Sequence, residues 1–308
     1  MSLLSAYAYK KKYKNSLPLK WVIAFMVMFT LYSLVCVLPL LLVLAVSFSS
    51  ESDVYTYGYR FIPKSISLNA YKLIFANSSQ IFEGYATTIF STVLGTVCSL
   101  LISSAIAYPL SRKDFKYRNR LSFYVYFTML FNGGMIPLYL IYTQLIPLRN
   151  NIFCLVLPNM ISAFYVLLIK TYMKNNLPDS IVESAEIDGA SVYRIFFTIV
   201  LPLVKPVLAT VALFTSIQYW NDYFRNMLFV YDGSINNLQY LLYRIQQQIE
   251  LLNTNPDVAA SLAASGGGIP SETSRMAMVI ITVGPIIFVY PFLQKYFVKG
   301  LTIGAVKG

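Results

Sequence analysis

The chain has 308 residues, of which 57% are hydrophobic and only 12% are charged. An ordinary soluble domain carries about 25% charged residues, so this composition predicts an integral membrane protein. Histidine is absent, which removes the usual metal ligand and the usual acid–base group near neutral pH. The formal net charge of +11 is also typical of nucleic-acid-binding proteins, and the placement of the basic residues decides between the two explanations.

Six segments are apolar and long enough to cross a bilayer, which requires about 20 residues. In chain order they are Trp21–Ser47, Tyr85–Leu110, Leu121–Leu145, Ile152–Tyr172, Leu203–Val230 and Met276–Phe297. The first is too long for a cleaved signal peptide, whose apolar core spans about 7–15 residues. No two segments repeat convincingly, so a transporter built from internal repeats has no support. The predicted fold is an all-α membrane protein with six transmembrane helices.

The basic residues are unevenly divided between the two sides of the membrane. With both termini inside, the inner segments carry 17 lysines and arginines and the outer loops carry 6. The inner segments are Met1–Lys20, Ser111–Arg120, Lys170–Lys205 and the chain after Tyr290. This bias follows the positive-inside rule and predicts cytosolic termini. The net charge therefore reflects topology, and nucleic acid is rejected as a partner.

The predicted organisation is a cytosolic segment 1–20, a membrane domain 21–300 and a cytosolic tail 301–308. Two outer segments, 49–84 and 231–275, are longer than a hairpin. The first mixes polar and aromatic residues that can cover the mouth of a helix bundle. The second contains a predicted amphipathic helix, NLQYLLYRIQQQIELL, followed by AASGGGIPSETS. That glycine run lacks G-K-[ST], so it is not a phosphate-binding loop.

The third apolar segment is interrupted by Asn132-Gly133-Gly134 and Pro137. Two glycines and a proline weaken helical hydrogen bonding, so a kink or a close helix crossing is expected. One interpretation is a flexing point during transport, with Asn132 on the substrate pathway. The other is a static packing kink.

The inner loop 178–206 begins with PDSIVESAEIDGAS, which holds four carboxylates in ten residues of a chain that has thirteen. Ser180 and Glu183 form a capping-box pattern, which predicts a short helix after Pro178. Gly189 predicts the end of that helix, because glycine tolerates the positive φ of a helix C-terminus. The chain then restarts into VYRIFFTIVLPL. The loop is therefore predicted to form a helix–turn–helix between the fourth and fifth spans.

The short helix has small residues, an acid and an apolar stripe of Ile181, Val182 and Ile187. Such a helix is suited to a groove on another protein. The alternative, a helix lying along lipid headgroups, is weaker because anionic lipids attract bases and this inner segment is the most acidic. Asp179 and Glu183 favour the positive end of the helix. The other two acids either meet bases on a partner or brace the glycine turn.

The segment ESAEIDGASVYRIFFTIVLPLVKP resembles the EAA loop of the membrane subunits of ABC importers. That loop reads E-A-A, a glycine four residues after the last of these, and then I-x-L-P. The matching residues here are Glu183-Ser184-Ala185, Gly189 and Ile199-x-Leu201-Pro202, with Ser184 as the one departure.

Further segments resemble the maltose-type carbohydrate permeases, namely YRFIPKSISLNAYKLIF, YWNDYF and FVKGLTIGAVKG. NGGMIPLYLIYTQL and YPFLQKYFVKG resemble the branch of lipoprotein-dependent oligosaccharide permeases in Gram-positive bacteria. The likeness covers nearly the whole chain after Lys20.

The resemblance implies an oligosaccharide permease subunit in the plasma membrane of a Gram-positive bacterium. Its implied partners are a second homologous permease, two copies of a cytosolic ABC ATPase and an extracellular sugar-binding lipoprotein. The short helix would lie in a cleft on the ATPase and transmit its closure. The implied coupling residues are Glu183, Ser184, Ala185, Glu186, Asp188 and Gly189. The chain would bind no cofactor, because the ATPase uses ATP and Mg, and it would contain no catalytic residue and no metal site.

The polar residues Asn221 and Asp222 lie deep in the fifth predicted span, between Trp220 and Tyr223. A carboxylate in a span costs a few kcal/mol and usually faces protein or water. These four residues can form a wall of the sugar pathway, where aromatic rings stack on pyranose rings and Asn and Asp bind hydroxyls. The alternative is a pair between Asp222 and Arg225, or a polar clasp to a neighbouring helix.

The leading hypothesis is therefore a non-enzymatic permease half. An ATP-independent secondary transporter or channel would show internal repeats or an ionisable relay across several spans. A membrane enzyme would need clustered acids outside the loop, or histidines with metal-ligand spacing. The sequence shows neither pattern.

Overall fold

The computed structural model describes residues 18–76, 78–255, 257 and 271–287. These residues form helices joined by loops, with one isolated antiparallel bridge between Ser49 and Ile66. The helices are α1 (Leu19–Ser47), α2 (Glu51–Tyr57), α3 (Asn69–Ala76), α4 (Ser78–Ser111), α5 (Arg118–Leu130), α6 (Met135–Leu145), α7 (Phe153–Asn159), α8 (Ala163–Asn176), α9 (Asp179–Ile187), α10 (Val192–Leu203), α11 (Lys205–Trp220), α12 (Phe224–Phe229), α13 (Leu238–Thr254) and α14 (272–287). The predicted tail 301–308, nearly all of the N-terminal segment 1–20 and the glycine run lie outside the described residues.

Two of these helices, α1 and α4, are each long and apolar enough to cross a membrane. Three helix pairs pass the same test together and are bent at a short break, by 107° for α5/α6, 52° for α7/α8 and 80° for α10/α11. The described residues therefore contain two to five candidate spans. The sixth predicted span begins within α14, and its part beyond residue 287 lies outside the described residues.

The predicted interruption of the third apolar segment is confirmed and is sharper than a kink. α5 ends at Leu130, and Gly134 has a φ of 87°. The Asn132 side chain supports the break, because its Oδ1 accepts a hydrogen bond of 2.9 Å from the Gly134 N–H.

The second and fifth predicted segments differ from the helices in their bounds, and the fourth, Ile152–Tyr172, is divided between α7 and α8. α4 begins at Ser78, seven residues before the predicted start at Tyr85. The segment Leu203–Val230 is not one helix, because α11 ends at Trp220 and α12 begins only at Phe224. A long hydropathy window averages Asn221, Asp222 and Arg225 with the apolar residues further out on both sides, so it does not locate the break. The amphipathic helix predicted in the second outer segment is confirmed as α13, whose first turn is capped by the Asn237 side chain.

The chain divides into two compact units. The first holds the described residues up to 73 and 271–280. Within it, the Glu51 carboxylate accepts hydrogen bonds of 3.2 Å from the backbone N–H groups of Glu272 and Thr273. These N–H groups have no partner within their own helix, so Glu51 satisfies the N-terminus of α14.

The second unit holds the described residues of 74–260 and 281–287. α4 packs against α8 and α11, and residues of α9 and α10 join the same hydrophobic core. Gly95 lets α4 and α11 approach closely, because a Cβ there would lie 2.4–2.7 Å from the Tyr219 ring. Tyr219 is buried, and its hydroxyl donates a hydrogen bond of 2.7 Å to the Val156 carbonyl.

Candidate functional site

The acidic loop folds as predicted into a helix, a glycine turn and a second helix, but its N-terminal cap differs. α9 begins at Asp179, and Pro178 occupies the cap position without a side-chain hydrogen bond. The predicted capping box is therefore wrong. Pro178, with φ −65° and ψ 129°, starts the helix so early that Ser180 lies inside its first turn. Asp179 still places its carboxylate at the positive end of the helix.

The glycine turn that ends α9 is confirmed. Gly189 has a φ of 77°, its N–H donates to the Glu186 carbonyl at 3.0 Å, and the Ala190 N–H donates to the Ala185 carbonyl at 2.9 Å. This pair of bonds is the Schellman motif, which satisfies the last carbonyls of a helix. Ser191 then caps α10 by accepting a hydrogen bond of 3.3 Å from the Arg194 N–H.

The two faces of α9 have different surroundings. Val182 and Ala185 are buried in the core of the second unit. The remaining predicted coupling residues are exposed, namely Glu183, Ser184, Glu186, Asp188 and Gly189. The predicted apolar stripe is divided, because Val182 faces the core whereas Ile187 is 86% exposed. The helix is therefore anchored on one face and exposes acids together with Ile181 and Ile187 on its other side.

Two basic residues that follow α4 contact α9 near both of its ends. Lys113 Nζ lies 2.8 Å from Asp179 Oδ2, and an Arg112 guanidinium nitrogen lies 3.6 Å from Glu186 Oε1. Arg112 Nε also donates a hydrogen bond of 2.9 Å to Asp114. Sequence reasoning missed these contacts, although the opposite charges of the two inner loops are visible in the sequence.

The charges of these pairs are reflected in their pKa values. The hydrogen bond and the positive charge of Lys113 lower the pKa of Asp179 from its ordinary value. Burial opposes the charge of Arg112, but the hydrogen bond to Asp114 and the nearby carboxylates outweigh it and raise the pKa of Arg112. Both shifts favour the charged form, Asp179 as a carboxylate and Arg112 as a guanidinium cation.

A cavity of about 420 Å³ lies between the end of α4 and the α9–α10 turn. Its lining is mainly apolar and includes Tyr108 and Phe196. Its charged members are Arg112, Asp114 and Glu186. Large apolar side chains next to it are exposed, with Val192 at 65% and Tyr193 at 80%. An exposed apolar surface of this kind commonly marks an interaction site.

The predicted pathway residues lie in and beside the break between α11 and α12. Trp220 is buried, and its indole N–H donates a hydrogen bond of 3.0 Å to the Thr282 carbonyl. Asp222 is also buried and forms an ion pair with Arg225. Its Oδ1 accepts a hydrogen bond of 3.3 Å from the Arg225 N–H, and its carbonyl accepts one from the Asn237 side chain. The Asp222–Arg225 pair weighed in the sequence analysis is therefore present.

The other two residues of the break are exposed. Asn221 Oδ1 accepts a hydrogen bond of 2.9 Å from Gln239, and the Tyr223 ring stacks on Tyr243 with centroids 4.9 Å apart. Asn132 is exposed too, in the break between α5 and α6. The structure therefore divides the predicted pathway set into buried supports and exposed polar or aromatic groups.

Comparison with known proteins identifies the family. Residues 15–303 match the family described as binding-protein-dependent transport system inner membrane component. The polygalacturonan/rhamnogalacturonan transport system permease protein YtcP of Bacillus subtilis (strain 168) is 40% identical over 295 residues, which cover 96% of this chain and 100% of that protein. The arabinooligosaccharides transport system permease protein AraQ of Halalkalibacterium halodurans is 28% identical over 96% of this chain and 100% of its own length.

A solved structure shares the fold as well. It belongs to a bacterial ABC transporter involved in the import of the acidic polysaccharide alginate. The matched chain is 32% identical with a TM-score of 0.76, and the match covers 90% of this chain and 96% of that chain. This protein has the all-α ABC permease fold and belongs to the family of binding-protein-dependent transport system inner membrane components, as a multi-pass permease subunit of an ABC importer in the cytoplasmic membrane.

Proposed function

We propose that this chain pairs with a second homologous permease to form the transmembrane pathway for an oligosaccharide, and that α9 couples it to a cytosolic ABC ATPase. The two-faced environment of α9 carries this proposal, because its buried face joins the core while its exposed face offers Glu183 and Ile187 to a partner. The carbohydrate names of the similar permeases support the substrate class. The chain itself is not catalytic.

The proposed topology has six spans with both termini in the cytosol, in the plasma membrane of a Gram-positive bacterium. The candidate spans among the described residues and the excess of basic residues in the inner segments support it. In this orientation the α9–α10 turn faces the cytosol and the α6–α7 turn faces outward.

The proposed assembly contains two copies of the ATPase and an extracellular solute-binding lipoprotein. The ATPase binds and hydrolyses ATP with Mg, and this chain binds no cofactor of its own. We assign Asn132, Asn221 and Tyr223 to the substrate pathway because their side chains are exposed at helix breaks. Trp220 and Asp222 belong to the same wall, where their buried hydrogen bonds hold the break in shape.

Reconstitution tests the proposed function. The chain should co-purify with an ATPase, and proteoliposomes containing the full complex should take up labelled oligosaccharide only with ATP and the binding protein. Proteoliposomes containing this chain alone should take up none. ATP-independent uptake by the single chain would instead support a secondary transporter or channel and contradict the proposal.

The contacts of Arg112 and Lys113 suggest how motion of α9 reaches the membrane. Both residues directly follow α4, and they contact acids near opposite ends of α9. A displacement of α9 by the ATPase therefore acts on α4 through these ion pairs as well as through the shared core. The Lys113–Asp179 contact persists at cytosolic pH, because it is lost only as the pH falls through the lowered pKa of Asp179.

Reversing the charge of Lys113 tests this route. In Lys113→Asp, two like charges face each other, and we expect uptake per ATP hydrolysed to fall about fivefold. Thermal stability should change little, because an exposed ion pair that water and salt screen contributes little to folding. Transport and ATP hydrolysis are measured together in proteoliposomes.

The double exchange Lys113→Asp with Asp179→Lys restores opposite charges and should recover most of the coupling. Lys116→Asp is the matched control, because Lys116 lies in the same loop and forms no ion pair within the described part of the chain. Equal losses in Lys113→Asp and Lys116→Asp would show that the loop responds to net charge and not to this contact.

A further inference from the structure

Arg149 lies in the short turn between α6 and α7, and backbone contacts fix this turn. The Leu148 N–H donates to the Tyr142 carbonyl at 3.1 Å, and the Asn150 N–H donates to the Phe229 carbonyl at 3.1 Å. Asn150 has a φ of 53°, and its side chain accepts a hydrogen bond of 2.8 Å from the Tyr231 N–H. The turn is therefore held against the segment that follows α12.

Two tyrosines hold the Arg149 guanidinium. One of its nitrogens donates a hydrogen bond of 2.8 Å to the Tyr139 hydroxyl, and its carbon lies 5.9 Å from the Tyr139 ring centroid and 5.4 Å from that of Tyr231. The two hydroxyls are 2.9 Å apart. The Tyr139 ring stacks on Phe229, which is fully buried, with centroids 6.2 Å apart. The cation is exposed, yet it is preorganised on a rigid base.

Arg149 has no acidic partner among the residues that the structure describes. Other described arginines, such as Arg112, Arg225 and Arg275, form ion pairs. The acid nearest in sequence beyond Tyr231, Asp232, accepts hydrogen bonds from the Ser234 N–H and hydroxyl at 3.0 and 2.7 Å. A guanidinium has five N–H donors, and one hydrogen bond to Tyr139 occupies only one of them.

We propose that Arg149, framed by Tyr139 and Tyr231, binds the carboxylate of an acidic oligosaccharide at the outer face of the permease. A guanidinium binds a carboxylate through two parallel hydrogen bonds. The two tyrosine hydroxyls next to it suit the hydroxyls of a sugar. This inference rests on the proposed function and topology, which place the turn on the side from which the substrate enters.

Equilibrium binding to the complex tests the site directly. The complex of both permeases and the ATPase is placed in nanodiscs without the binding protein, and the probes are trigalacturonate and its uncharged counterpart galactotriose. The wild-type complex should bind trigalacturonate more tightly than galactotriose. Arg149→Met should weaken trigalacturonate binding about tenfold, the effect of losing one charge-assisted pair, and leave galactotriose binding unchanged. Arg149→Lys should recover only part of the affinity, because lysine keeps the charge but not the planar fork.

Arg244→Met is the matched control, because Arg244 is an exposed arginine of α13 that also lacks an ion pair within the described ranges. This variant should bind both sugars as the wild type does. Equal losses for both sugars in Arg149→Met would show that Arg149 only holds the turn. The inference would be overturned if the wild-type complex showed no preference for trigalacturonate. It would also be overturned if Arg149→Met left trigalacturonate binding unchanged and lost bound phosphatidylglycerol instead, since Arg149 would then bind a lipid headgroup. ATP-dependent uptake of neutral oligosaccharide in the reconstitution above would leave the proposed function intact in each case.

Discussion

Replacing Gly189 by valine is expected to reduce oligosaccharide uptake at least about tenfold while the complex still assembles. The residue has a φ of 77°, a conformation that costs an L-residue about 1–2 kcal/mol and a β-branched residue more. This cost is small beside the stability of a typical domain, so the chain still folds. It is large enough to open the Schellman turn and so to change the angle between α9 and α10. Uptake is measured in proteoliposomes, and assembly is measured by co-purification of the ATPase.

The substitution Gly189→Asn distinguishes the need for a positive φ at this position from a need for space that a side chain would fill. Asparagine is larger than alanine but tolerates positive φ, so Gly189→Asn should transport better than Gly189→Ala. Among the described residues, a Cβ at Gly189 meets no atom within 4 Å, so a simple clash with them does not explain a loss. If transport instead declines with side-chain size, the glycine is needed for close approach of the partner. Normal uptake by the valine variant would contradict the role of the turn.

Adding one methyl group at Gly95 is expected to cause the largest loss of stability. In Gly95→Ala the new Cβ would lie 2.4 Å from a Tyr219 ring carbon, a distance that requires a displacement. Tyr219 cannot easily move away, because it is 2% exposed and its hydroxyl is bonded to the Val156 carbonyl. Overpacking costs about 1–3 kcal/mol and occasionally more, so we expect a loss of about 3 kcal/mol in the free energy of unfolding. The apparent melting temperature in detergent provides the measurement.

Two variants distinguish this close crossing from a general intolerance of helical glycine replacement. Gly284→Ala adds the same methyl group in α14, where no atom of the described part of the chain outside the helix itself lies within 4 Å of the new Cβ, and it should melt like the wild type. Combining Gly95→Ala with Tyr219→Leu removes the ring and should be less destabilised than the two single changes predict together. A Gly95→Ala protein with an unchanged melting temperature would mean that α4 and α11 do not cross at this point.

The apolar segments could be predicted from the sequence because bilayer length and hydropathy determine them directly. The interruption near Gly134 was also predictable, because two glycines and a proline weaken a helix in any surroundings. The break after Trp220 was not, because part of what holds it comes from outside the apolar segment. The local pair of Asp222 with Arg225 of α12 could be foreseen, but the bond from the Asn237 side chain to the Asp222 carbonyl could not. A window of hydropathy contains no information on such partners.

Prediction of the candidate site divides in a similar way. The turn at Gly189 was found because its requirement is local to the backbone. The capping box failed because Pro178 took the cap position, and a sequence pattern does not say which of two neighbouring residues starts a helix. The contacts of Arg112 and Lys113 with α9 depend on how α4 and α9 pack, which the sequence does not specify. The substrate roles of the polar residues at the two breaks remain predictions.

The division of α9 into a buried and an exposed face bears on which of its residues can be substituted independently of folding. Val182 and Ala185 are constrained by the chain's own core, whereas Glu183, Ser184 and Ile187 are not. Under the coupling proposed above, changing the outward positions alone should redirect the permease to a different ATPase. The inward positions would then serve folding and the outward positions the choice of ATPase.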